Sequence, residues 1–163
     1  MSDPAKLADH VTYLLRGRGA HASPAAVLDG WPEGLRGERP PGAEHSAWQL
    51  LEHLRIAQSD LLEYSRGPGH ESPEWPAGYW PATEAPPDDR AWENSRSAFF
   101  ADLAAIQALV TERAEALLEP LPHLEDGPTL LREALLLADH NAYHLGQLVA
   151  LRRRLGAWPA GAG

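Results

Sequence analysis

The chain has 163 residues, 44 % of them hydrophobic, which suffices for one packed core and argues against disorder. Its 14 Lys and Arg stand against 23 Asp and Glu, and the resulting net charge of −9 repels phosphate backbones and anionic head groups, so binding of nucleic acid or membrane through a basic face is excluded. Cysteine is absent, which removes disulfide scaffolds, thiolate metal sites and cysteine nucleophiles; a metal here must use His, carboxylate or water.

Residues 1–163 read as a single all-α domain. The polar start Met-Ser-Asp-Pro-Ala-Lys has no apolar run of the secretory type, and every helical stretch is interrupted by charge well before the ~18–20 apolar residues of a membrane span. A soluble, cytoplasmic protein is the expectation. The 15 prolines are segregated, leaving three long stretches free of them: Gly42–Gly67, Asp88–Glu119 and Thr129–Trp158.

In chain order, a first helix over about 4–16 opens with Asp3 as cap and Pro4 in the first turn, carries Leu7, Val11, Leu14 and Leu15 at helical spacing, and ends near Gly17. Ser23-Pro24 repeats the cap-then-proline signature for a short turn of helix, and the Gly- and Pro-rich run from Gly30 to Gly42 is a connector. A second main helix over 43–66 has Ala47, Leu50, Leu51, Leu54, Ala57 and Leu61 as its apolar stripe; a third over 89–118 has Trp92, Phe99, Leu103, Ile106, Val110 and Leu117. The last, over 129–155, buries Leu130, Ala134, Leu137, Ala138, Leu145, Leu148 and Leu155, and closes with Arg152, Arg153 and Arg154 before Gly156. Strand patterning is missing, so a four-helix bundle follows. The connection Gly67–Pro87 is long enough to cross the bundle end to end, which would make the second and third main helices parallel in an up-down-down-up arrangement, whereas Pro120–Pro128 is short.

His140 and His144, in Asp-His-Asn-Ala-Tyr-His-Leu-Gly-Gln, stand four apart on the last helix. That spacing projects both rings from one side, at the border of the apolar stripe, where one ion can take a nitrogen from each; it also suits a pair of hydrogen-bonded core histidines. His53 borders the stripe of the second main helix and is the candidate third ligand. His45 competes for that role but lies eight residues earlier, about 12 Å along a helix, too far for both to hold one ion. His10, His21, His70 and His123 read as surface histidines. Asn141 stands where a zinc protease needs its Glu, no Glu-x-x-His pair of the di-iron kind is present, and a Gly-x-Ser-x-Gly elbow is missing.

These residues resemble the DinB/YfiT-like superfamily of four-helix-bundle metalloproteins, through His53 within Trp48–Leu54 and through His140, His144, Gly146 and Gln147 on the last helix. The resemblance spans about Ala5 to Leu155. It implies a three-histidine site for a divalent metal, zinc or nickel, in an up-down-down-up bundle that forms a homodimer. It further implies a metal-dependent transferase or hydrolase acting on a small molecule, some relatives being S-transferases that use a low-molecular-weight thiol. The alternative is a catalytically inactive or stress-associated bundle acting through ligand binding or dimerisation. Glu52, Asp60, Glu133 and Gln147 are within reach as hydrogen-bond partners of the ligating rings, although Glu52 and Asp139 immediately precede a ligand and so point about 100° away. The aromatic segment Glu74–Pro81 either lids the bundle or, through Trp75, Tyr79 and Trp80, walls a substrate pocket.

Overall fold

Each helix starts where a short polar side chain accepts a bond from the first turn. Asp3 takes the Ala5 N–H at 3.1 Å, Ser23 that of Ala26 at 3.3 Å, Asp88 that of Ala91 at 2.7 Å and Thr129 that of Arg132 at 3.1 Å. In the computed structural model, which describes residues 3–17 and 19–159, these caps open α1 (Pro4–Leu15), α2 (Pro24–Leu28), α4 (Asp89–Glu112) and α5 (Leu130–Arg154). The remaining helix, α3 (Ala47–Arg66), begins four residues later than the expected start at 43, and its first residue is the first of the expected apolar stripe. Ser46 and Gln49 form a reciprocal capping box there, the Gln49 N–H donating to the Ser46 hydroxyl at 3.2 Å and the Ser46 N–H to Gln49 Oε1 at 3.0 Å. Helix α4 ends earlier than expected, at Glu112, and a 3₁₀ turn at Ala114–Ala116 replaces its predicted last turn. Among the described residues, extended pairing is confined to one isolated bridge between Pro120 and Thr129, which ties off the short connector before α5.

α3 packs along both α4 and α5, and α1 packs along the same two helices. Glu52, Gln58 and Ser65 of α3 meet Ser95, Phe99 and Arg113 in the same order, so α3 and α4 run in the same direction. Along α5 the order is reversed: Gln58 meets Asn141 while His53, earlier on α3, meets His144 later on α5. Segment 67–88 returns along α3 from its end to its start, held by Tyr79 to Asp60, by Thr83 to Trp48 and by Glu84 to Ser46.

The expected stripes supply most of the core, but Leu61 and Leu155 are only half-buried, Leu14 is exposed, and Val27, Leu28, Trp31, Leu62 and Leu121 join it. Leu51, Leu54, Phe99, Ile106, Ala134, Leu137 and Leu148 are buried, as are Trp48 and Trp92; each fully buried large side chain contributes about 1.5–3 kcal/mol. Among the described residues, no helix is long and apolar enough to cross a membrane.

Candidate metal centre

His53 lies in the second turn of α3, and His140 and His144 occupy successive turns of α5 facing it. Leu50, Leu54, Leu137, Leu145 and Leu148 bury the seam between the two helices and so bring the three rings together. Ring centroids are 4.9 Å apart for His53 and His140, 4.6 Å for His53 and His144, and 4.5 Å for His140 and His144. The Nε2 atoms of His53 and His140 are 3.0 Å apart, and one nitrogen from each of the three rings falls within 4.8 Å of the others. Bonds of about 2.0–2.1 Å in tetrahedral array separate ligand nitrogens by about 3.3 Å, so the cluster is close to the size a cation requires.

The proton positions follow from the neighbours. His53 Nδ1 donates to the Tyr79 carbonyl at 2.9 Å and His144 Nδ1 to Gln147 Oε1 at 2.7 Å, which leaves a lone pair on the Nε2 of each. His140 differs: its Nδ1 is buried without a partner, and so is Oδ1 of Asn141, the next residue. The His140 ring instead meets His53 through Nε2 at 3.0 Å, so in the metal-free protein a proton on His140 Nε2 is donated to the lone pair of His53. A cation at the centre of the cluster can displace that proton and take one nitrogen from each of the three rings. Asn141 is itself held, its Nδ2 donating to Gln58 Oε1 at 2.9 Å while Gln58 Nε2 donates to the Phe99 carbonyl at 2.5 Å.

Burial keeps the rings neutral, as ligation requires. Desolvation, reinforced by the neighbouring His144 and His53, lowers His140 to about 4, with the Asn141 side chain opposing. His53 and His144 are also lowered, chiefly by desolvation, each partly offset by its Nδ1 hydrogen bond.

The other candidates separate by what they touch. Gln147 bonds directly to His144. Asp60 reaches the cluster at one remove: its carboxylate accepts from the Tyr79 hydroxyl at 2.6 Å and meets His70 Nε2 at 2.6 Å, fixing the residue whose carbonyl holds His53. Burial would raise the Asp60 carboxyl, but the Tyr79, His70 and Ser72 contacts outweigh it and hold the group below its ordinary value. Glu52 turns to Arg55 and Ser95, and Glu133 to Arg132 at 2.6 Å, so their carboxylates are engaged elsewhere on the helices. His70 is tied to Asp60 and is no free surface histidine. His45 is off the helix altogether, because the cap at Ser46 starts α3 after it; its ring stacks on Trp80 at 4.0 Å, and the other face of Trp80 covers His53 at 4.0 Å with the planes 3° apart.

Trp80 thus seals the rear of His53, while Trp75 and Tyr79 line a cavity of about 360 Å³ that reaches all three histidines. Gln58, Asn141 and the Tyr79 carbonyl were missed in the sequence. Asn141 stood inside the motif, but only burial shows that its amide oxygen lacks a partner.

A family model described as the DinB superfamily matches residues 18–148, well over half of the chain. Among curated proteins and solved structures, none matches significantly.

Proposed function

The chain belongs to the DinB superfamily, and from that premise we propose that His53, His140 and His144 hold one divalent ion, zinc or nickel, in a metal-dependent transferase or hydrolase acting on a small molecule. The observation that carries the reading is the convergence of one ring nitrogen from each of three histidines, two of the rings fixed by Nδ1 bonds to Tyr79 and Gln147. When bound, a divalent ion with three neutral nitrogen ligands supplies Lewis acidity at its open positions and lowers the pKa of a thiol or water. A low-molecular-weight thiol is accordingly the proposed co-substrate of a transfer reaction.

This chain's own residues supply the rest. The Tyr79 carbonyl and the Gln147 amide keep protons on the outer nitrogens and orient the rings. Asp60 and His70 keep Tyr79 in place, Trp80 excludes water from the rear of His53, and the cavity bounded by Trp75 and Tyr79 admits substrate from the front. We expect the working assembly to be a homodimer in the cytoplasm. The test is an assay of zinc- or nickel-loaded protein with a panel of thiols and carbon electrophiles. Thiol-dependent turnover that a chelator abolishes and the metal restores is the expected result; turnover indifferent to the chelator would refute the reading.

A further inference from the structure

The cavity at the three histidines has a chemical character that narrows its ligand. Its volume, about 360 Å³, lies at the small end of ligand pockets and admits one or two rings. Ala57, Leu61, Trp75 and Leu136 supply its apolar walls, and among the described residues neither Lys nor Arg lines it. Its donors are already used: the Tyr79 hydroxyl goes to Asp60, whose other oxygen meets His70, and the outer nitrogens of His53 and His144 go to Tyr79 and Gln147. An anionic group on the body of a ligand would lose water there, face the Asp60 carboxylate and find no free donor, at a cost of several hydrogen bonds' worth of solvation. The unspent valences are the nitrogens facing the centre of the cluster.

Two apolar side chains stand exposed at this cavity. Trp75 is 76 % exposed and touches Tyr79 edge-on at 5.4 Å, and Leu136, 43 % exposed, faces the same space from α5. Each is left wet by the fold, and a flat apolar molecule lodged between them would cover both.

We propose that this cavity binds a neutral aromatic molecule, its ring body between Trp75 and Leu136 and a single nitrogen or sulfur donor directed at the three histidines. The donor end rests on the metal reading given above; the ring body does not.

The test compares imidazole with 4-phenylimidazole on zinc-loaded protein by calorimetry, and follows indole on metal-free protein by ligand-observed NMR. The phenyl ring should tighten binding by about tenfold or more, from the apolar area it removes from water. Trp75→Ala and Leu136→Arg should erase that advantage and the indole signal while zinc content stays at the wild-type level. Equal affinities for the two azoles, or an advantage that survives both substitutions, would overturn the proposal. If zinc fails to bind but indole does so in a Trp75-dependent way, the metal reading falls and the aromatic cavity stands; zinc bound with no aromatic preference is the converse.

Discussion

Two polar constructions are buried on the same helix, and they are finished to different degrees. Arg152, eight residues beyond His144, sends its guanidinium to the carbonyls of Val27 at 3.0 Å, Gly30 at 2.8 Å and Ala157 at 3.0 Å, and lies over the Trp31 and Trp158 rings at 5.3 and 5.9 Å. Its charge is spread over dipoles and π-faces, and its donors are spent on backbone. The histidine cluster instead has two rings anchored from behind and every inner nitrogen left facing its neighbours, with Nδ1 of His140 and Oδ1 of Asn141 unpartnered. The saturated group fastens the fold, here α2 and the chain after α5 to α5 itself, whereas the unsaturated cluster is the place proposed for an ion.

Separating the two roles by substitution gives the largest effects first. Zinc or nickel should raise the melting temperature of the wild type, and His140→Ala or His144→Ala should abolish that rise altogether while leaving the metal-free protein folded, as circular dichroism melts would record. Arg152→Met should do the opposite, costing about 3 kcal/mol in urea unfolding because the carbonyls of Val27 and Gly30 lose their donors, with metal stoichiometry intact.

A smaller effect is expected from acid. In the metal-free protein His140 titrates at about 4 when folded and at 6.5 when unfolded, so the unfolded chain takes up the proton first. Stability should be fully present above pH 6.5 and decline as pH falls toward 4; the same series on His140→Ala should be flatter. A decline of equal steepness in that variant would assign the acid sensitivity to other groups. Smallest of all are the orienting contacts. Gln147→Leu and Asn141→Leu should weaken zinc binding by roughly 10- to 100-fold in chelator competition, and Glu52→Gln, whose carboxylate faces Ser95 and Arg55, should leave it unchanged.

The contrast also explains what the sequence made legible. Helical periodicity and capping residues are local, so the main helices, the cap-then-proline starts at Asp3 and Ser23, and the shared face of His140 and His144 could be read directly. The start of α3 was misplaced although Ser46 and Gln49 carry the capping-box spacing, because the proline-free stretch runs back through it to Gly42. The end of α4 was misplaced because neither Gly nor Pro marks it; Arg113 stops there by donating to the Ser65 and Arg66 carbonyls across the bundle. His45 and His70 took their partners from the path of segment 67–88, which no local rule determines. Arg152 looked like one more cation at a helix terminus, and only its burial against α2 distinguishes it from Arg153 and Arg154.

The most direct trial of the central claim is elemental analysis of untagged protein, dialysed against zinc and then against metal-free buffer, for the wild type and for His53→Ala, the substitution on the helix that spacing alone could not join to the other two. The account predicts about one zinc per wild-type chain and none in the variant. A wild type that keeps no zinc, or a variant that keeps as much, would contradict it.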